Sequence, residues 1–464
     1  MARTAPALGD IPLEGLFELV ERLDVRGPRY TSYPTVPAWQ DDVDDDDRDR
    51  ALAQTRRAGQ PVALYVHLPF CRSRCLYCGC NSFITARADR MQRYGDALLR
   101  EIDAVATALA GLEHQQLHLG GGTPTHLPVE MLAAICDRLI DRLPGAPGAE
   151  RSIEVDPRVT TDEHLQMLAE RGFRRLSAGV QDLDQTVQQA VNRVYSRQDL
   201  ASFVARARAA GLAEVNLDLI YGLPEQTPQS WLATLEAIHE IGPDRLACFG
   251  YAHLPQRMRH QQAIDETRLP TPRERLNMLV DAIRFFTERG YEAIGLDHFA
   301  RPHDELAVAR REGRLWRNFM GYTTTRGLEL VGVGSSAISE LAPLFVQNEV
   351  APERYAERIE RRASTIVRGH RLDDDDRHRK LLVNHLMCNL EVDLTPPAAA
   401  SEELASALAA ARVEIGRFVG DGLVEPTAVG YRVTPLGQLF LRNLAMPLDR
   451  YLPRQGGTTF SRTV

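Results

Sequence analysis

Four of the seven cysteines of this chain fall within ten residues, in the stretch HLPFCRSRCLYCGCN: Cys71, Cys75, Cys78 and Cys80. Thiols so close together serve as disulfides, as zinc ligands or as ligands of an iron–sulfur cluster. Cys71, Cys75 and Cys78 form C-x3-C-x2-C. Iron–sulfur clusters normally take four thiolates, so a cluster held by three leaves one iron open to another ligand, such as an amino acid's amine and carboxylate. Cys80 would complete a four-thiolate zinc site, although zinc ligands usually come as separated pairs and Cys78 and Cys80 are two residues apart. Spacing alone leaves zinc and iron–sulfur both open. Cys136, Cys248 and Cys388 lie in apolar surroundings and read as small core residues.

A second chemical signal is GGGTPT, Gly120 to Thr125. It matches neither the dinucleotide pattern G-x-G-x-x-G nor the phosphate-loop pattern G-x-x-x-x-G-K-[ST]. It reads as a tight strand-to-helix turn, or as a backbone that lets a ligand's polar atoms come close. The sole lysine is Lys380. A Schiff-base lysine and a phosphate-loop lysine are therefore absent from everything before it, which removes pyridoxal-phosphate chemistry and Walker-type ATP hydrolysis from the main body.

The elements that would position these residues alternate. Apolar strands are expected at VALYVHL, QQLHLG, SIEVDP, RLSAGVQ, VNLDLIYGLP and RLACFGYAHLP, with a helical pattern after each. Repeated βα units imply a parallel sheet covered by helices. The fold class is α/β, a partial (βα)6-type barrel, with an open doubly wound sheet as the structural alternative. YEAIGLDHF is expected to be a further, closing strand. In barrels of this kind functional residues gather at the C-terminal ends of strands. The cysteines follow strand one, Gly120 to Thr123 follow strand two, Glu154 and Asp156 sit at strand three, Gln181 follows strand four and Asp218 lies near the end of strand five. That coincidence points to one shared site at the barrel mouth.

Four segments are expected. Residues 1–55 form an N-terminal arm, a cover for the substrate site, with the acidic run DDVDDDDRDR as a solvated loop or helix start. Residues 56–290 form the barrel core, 291–365 a closing strand and bridging segment, and 366–464 a small, mainly helical C-terminal domain of helix, short hairpin and helix. Hydrophobic residues make up 44% and charged residues 25%, ordinary for a globular protein, and the net charge of −8 argues against a general nucleic-acid binder. No apolar run approaches the roughly 20 residues a membrane helix needs. No signal peptide is visible, so a cytoplasmic location with reduced thiols is expected, and no membrane insertion.

CRSRCLYC and GGGTPT together resemble the radical S-adenosylmethionine (radical SAM) superfamily. More closely, the chain resembles the oxygen-independent coproporphyrinogen III oxidase (dehydrogenase) family of heme biosynthesis. RYTSYPT, LYVHLPFC, CGCN, SIEVDPR, GVQD, NLDLIYGLP, YAHLP, DHFARP, DELAVA, GVGSSAIS and the ending FSR carry that likeness over almost the whole chain. The resemblance implies a [4Fe–4S] cluster on Cys71, Cys75 and Cys78, with Cys80 needed but not a ligand. It implies two SAM molecules. Tyr65, Gly121, Glu154 and Ile338 match the first site; Tyr77, Gly122, Thr123, Gln181, Arg193, Asp218 and Ala252 match the second. Cys80, Tyr65, Glu154 and Ile338 are the implied catalytic set. The implied reaction turns two propionates of coproporphyrinogen III into vinyl groups through a 5′-deoxyadenosyl radical. An external one-electron donor such as a flavodoxin or ferredoxin is implied, and a monomer is expected. Arg29, Arg301 and Arg317 are candidates for gripping substrate carboxylates, because arginine suits them. One departure is Met320, where the family pattern has glutamine. Two alternatives stand beside this reading: a radical-SAM-like heme-binding chaperone, and a structural zinc protein using Cys71, Cys75, Cys78 and Cys80. The chaperones lack the RYTSYPT arm and carry an aromatic residue at the position of Cys80.

Overall fold

Short apolar segments rich in Val, Leu and Ile become neighbouring parallel strands because both faces of such a sheet are covered. In the computed structural model, which describes residues 13–39, 43–452 and 460–463, the chain divides into two compact units, each discontinuous in sequence. Consecutive segments were expected instead. Folding brings residues distant in sequence into one core, which a linear division does not capture.

The first unit runs over 40–270 and 327–371. Helix α1 (Asp45–Ala58) opens it; Asp44 caps it by accepting the Asp47 N–H, and the acidic first turn suits the positive end of the helix dipole. Asp41 and Asp42 of the acidic run lie outside the described residues. Then follow β1 (Val62–Leu68), α2 (Ala88–Ala108), β2 (His114–Gly121), α3 (Val129–Arg142), β3 (Gly145–Val155), α4 (Asp162–Glu170), β4 (Arg175–Gln181), α5 (Gln185–Ala190), α6 (Arg197–Ala210), β5 (Glu214–Tyr221), α7 (Pro228–Ile241) and β6 (Arg245–Gly250). Strands β1 to β6 pair in sequence order, all parallel. This is the six-stranded βα array expected.

Beyond β1 the sheet continues with strands the sequence reading did not anticipate. β7 (Leu330–Val333) pairs parallel with β1, and β8 (Ile338–Leu341), β9 (Leu344–Asn348) and β10 (Ile366–Arg371) follow antiparallel. They are short, and β7 and β9 are almost wholly buried, so they lack the alternation that marks a half-exposed strand. Strands β4 and β5 do alternate. Leu176, Ala178, Val180, Val215, Leu217 and Leu219 are fully buried, whereas Ser177, Gly179, Gln181, Asn216 and Asp218 are half-buried. The two-residue period puts these polar groups on one face.

The second unit comprises 13–39, 271–326 and 372 onward. Its core includes Leu16, Tyr30, Tyr33, Ile294, Leu315, Leu386, Leu408 and Leu444, so the N-terminal arm and the tail share one core. Arg442 donates to the carbonyls of Gly27 and Pro28, and Asn443 to that of Leu23. YEAIGLDHF forms two antiparallel strands, Glu292–Gly295 and His298–Ala300, rather than one. The chain reverses at Leu296, whose φ of 27° no strand tolerates. The tail keeps its helix and hairpin (Glu402–Gly416, then Val424–Pro426 with Gly430–Val433) and adds a third strand, Glu391–Asp393. No helix among the described residues is long and apolar enough to cross a membrane.

Candidate active site

The cysteine loop begins where β1 ends and is held by backbone bonds to the glycine turn. The Gly122 N–H donates to the Leu68 carbonyl (2.9 Å) and the Thr123 N–H to that of Phe70 (2.9 Å). A Cβ on Gly122 would lie 2.5 Å from the Pro69 carbonyl oxygen, so this close approach demands glycine. Phe70–Cys71 pairs with Phe83–Ile84 and closes the loop at its base. Arg74 donates twice to Ser82, and the His67 ring bonds the Asn81 carbonyl (3.0 Å). Leu76 and Tyr77 pack on an apolar cluster of Val187, Val191, Leu223, Tyr251 and Ile264.

Cys71, Cys75, Cys78 and Cys80 line one cavity of about 540 Å³ at the C-terminal ends of the parallel strands. All are free thiols. Its wall also includes Tyr77, Gly121, Gly122, Thr123, Glu154, Gln181, Arg193 and Asp218. The structure thus brings most of the expected residues together. Three stand outside the lining. Tyr65 lies behind it, stacked on His118 (ring centroids 6.0 Å apart) with its hydroxyl 3.0 Å from His67 Nδ1. Ala252 is exposed on the segment after β6, and Gln261 ties its carbonyl to that of Tyr77 (3.3 and 3.1 Å). Ile338 opens β8.

Charge is arranged around the thiols. Arg193 sends Nη1 to Cys75 Sγ (3.5 Å) and to Asp156 Oδ2 (3.1 Å). Arg158 reaches the same Sγ (3.7 Å) and the same carboxylate (2.7 Å). Two guanidiniums therefore lie beside one cysteine sulfur. A hydrogen bond from Cys80 brings the Cys78 thiol down to about 6, whereas burial pushes Cys71 up to about 11 despite its contact with Thr123.

The two carboxylates on the wall differ. Burial opposes ionisation of Glu154, but His118 and the Gly121 N–H (2.9 Å) outweigh it and hold the group below its usual range. Asp218 receives neutral donors, Asn216 (2.7 Å) and Ser177 (3.2 Å); burial, with Glu154 nearby, pushes it up to about 6. The side-chain oxygen of Gln181 is buried without a partner at this wall, an acceptor that suits a ligand's N–H or O–H.

Sequence reasoning singled out Asp156 but not Arg158, His118 or Gln261. Arg158 sits inside the SIEVDPR stretch, two residues beyond Asp156. Nothing in the sequence marks His118 or Gln261, which matter only through partners that folding supplies.

The sequence profile of the Radical SAM superfamily matches residues 65–238. The oxygen-independent coproporphyrinogen III oxidase of Escherichia coli K12 is 40% identical over 448 residues, covering 96% of this chain and 98% of that protein. The chain belongs to the oxygen-independent coproporphyrinogen III oxidase family. Relatives of the same name from Paracoccus denitrificans and Helicobacter pylori J99 are 38% and 36% identical, covering 93% and 97% of this chain and 96% and 99% of their own length. A solved structure of the Escherichia coli coproporphyrinogen III oxidase, described as a radical SAM enzyme, superposes with a TM-score of 0.86 at 38% identity, over 94% of this chain and 98% of that one. This assignment takes the place of the zinc and heme-chaperone alternatives. Membership of the family implies a [4Fe–4S] cluster and SAM. The donor set fits them: three cysteine sulfurs on one loop, two guanidiniums beside one of them, a glycine cradle and an orphaned acceptor in one cavity.

Proposed function

We propose that the chain catalyses the anaerobic oxidative decarboxylation of two propionate side chains of coproporphyrinogen III, giving protoporphyrinogen IX. The observation that supports this reading best is the single cavity shared by the cysteine loop and the polar ends of β2 to β5, in a chain that matches its relatives almost end to end. Each propionate loses a β-hydrogen atom, CO2 and one electron, and a vinyl group remains. When bound, the cluster and SAM supply the 5′-deoxyadenosyl radical that takes the hydrogen.

The protein's part is to bind, orient and exclude water. Cys71, Cys75 and Cys78 hold the cluster, and Cys80 serves the reaction beside them. Glu154, ionised and fixed by His118 and the Gly121 N–H, accepts the amine of one SAM; Tyr65 and Ile338 support that site from behind. Tyr77, Gly122, Thr123, Gln181, Arg193, Asp218 and Ala252 serve a second SAM, with Asp218 and Gln181 as acceptors. An external one-electron donor such as a flavodoxin or ferredoxin would reduce the cluster, and the enzyme acts as a cytoplasmic monomer.

The test is anaerobic. Reduced, iron-reconstituted protein is incubated with SAM and coproporphyrinogen III, and tetrapyrroles and nucleosides are separated by chromatography. The expected result is a divinyl product with 5′-deoxyadenosine formed alongside it. SAM cleavage that leaves coproporphyrinogen intact would overturn the substrate, and a colourless protein with stoichiometric zinc would overturn the whole reading.

A further inference from the structure

In the second unit, Arg317 and Tyr322 are direct cross-strand neighbours on the hairpin Trp316–Asn318 and Gly321–Thr323. The Arg317 guanidinium lies over the Tyr322 ring, 5.1 Å from its centroid. Arg317 is only 7% exposed. Its backbone N–H is anchored on Asn384 (3.1 Å), and its Nη1 makes a long contact with the Arg29 carbonyl (3.4 Å). Its Nε has no partner, and neither has the buried Tyr322 hydroxyl. A second guanidinium, Arg310, acts on the same tyrosine and donates to a neutral group, the Gln438 side-chain oxygen (3.1 Å).

The neighbouring carboxylates already have cations of their own. Asp297 pairs with Arg29, and Glu292 with Arg311. Buried Arg317 and half-buried Arg310 thus have only neutral hydrogen-bond partners, beside a hydroxyl with nothing to bond. A buried charge without a counter-charge is costly, and an anionic ligand that supplies one removes the cost. A carboxylate matches the planar fork of arginine and accepts a hydroxyl hydrogen bond as well.

We infer that Arg317, Arg310 and the Tyr322 hydroxyl form a carboxylate-binding subsite that takes a propionate of the tetrapyrrole. This rests on the substrate proposed above and names residues that grip it. Of the three arginines chosen from sequence, Arg29 is engaged by Asp297, whereas Arg317 carries a buried Nε without a partner. Arg310, on the short helix Glu305–Arg311, was not among them.

The experiment titrates full-length protein with coproporphyrin III, a fluorescent tetracarboxylate, and with its tetramethyl ester, which lacks the charges. In Arg317→Met the dissociation constant for the acid should rise at least tenfold, while the ester binds as it does to wild type. The unfolding midpoint should stay or rise, because an unmatched buried charge has gone, and iron content should not change. Arg310→Met should show the same selective loss. Arg317→Lys, which keeps the charge without the fork, should fall between the two and stands in if Arg317→Met fails to fold. Binding of the acid within twofold of wild type in the variants, or equal loss of acid and ester, overturns the subsite. Wild type that binds neither probe overturns the substrate reading together with it.

Discussion

Gly122→Ala is the most direct test of how the fold holds the cysteine loop. The added Cβ would sit 2.5 Å from the Pro69 carbonyl oxygen, 2.6 Å from its carbon and 2.9 Å from the Phe70 oxygen. All three are backbone atoms, so no side chain can swing away. Restoring an ordinary contact needs a movement of about 1 Å. Overpacking of this kind costs about 1–3 kcal/mol. The bonds from the Gly122 and Thr123 N–H groups to Leu68 and Phe70 stretch with it, at about 1 kcal/mol each. Cys71 follows Phe70 directly and moves too. Metal–ligand distances tolerate only about 0.2 Å, so a shift several times larger should empty the cluster site before it unfolds the barrel. The assay is iron per chain and absorbance near 400 nm after anaerobic reconstitution, with the unfolding midpoint measured in parallel. Gly122→Ala should lose most of its iron and melt lower. Gly79→Ala, on the same loop between Cys78 and Cys80, meets no atom within 4 Å and should reconstitute like wild type. Full iron loading in Gly122→Ala, or equal loss in both variants, would refute the argument that this one contact sets the loop.

Three further outcomes are expected. Replacing Cys71, Cys75 or Cys78 by Ala should abolish iron binding and SAM cleavage together, whereas Cys80→Ala should keep most of the iron and lose product; equal iron loss in all four would make Cys80 a ligand. Asp218, raised to about 6 in the fold, contributes stability that is full below the unfolded value near 3.9 and is lost as pH rises through about 6. SAM-free wild type should therefore be less stable than Asp218→Asn at pH 7.5, by at most about 3 kcal/mol, and the gap should close towards pH 4.5 in urea titrations; a gap independent of pH would count against it. Met320 lies in the turn of the Arg317 hairpin with its N–H on Asn318 (2.9 Å), so Met320→Gln should change the rate of coproporphyrinogen decarboxylation and not its product, as chromatography of both reactions would show.

How far the fold was legible depends on how each element is stabilised. β4 was expected at Arg175–Gln181 and is found there, since an apolar run between a helix and a turn has one sensible reading. Strands β7 to β10 escaped because their residues, among them Gly332 and Ser339, owe their strand state to neighbours across the sheet. Propensity is weak where pairing decides. The hairpin at Glu292–Ala300 was missed for a related reason: a leucine with positive φ leaves no mark in the sequence.

The site divides along the same line. Cysteines and glycines announce themselves because few other residues can bind iron or permit so close an approach. Carboxylates do not. In the sequence Glu154 and Asp218 are two acids at the ends of two strands, with nothing to rank them. Folding gives Glu154 an imidazole and a backbone N–H, and gives Asp218 an amide and a hydroxyl. One is therefore held ionised and the other titrates near 6, within the same cavity. When neighbouring environments push paired acids apart, their tasks part with them. Glu154 is suited to hold a fixed cation such as an amine, and Asp218 to accept a hydroxyl or release a proton at little cost. His118 is what separates them, and no pattern in the chain points to it.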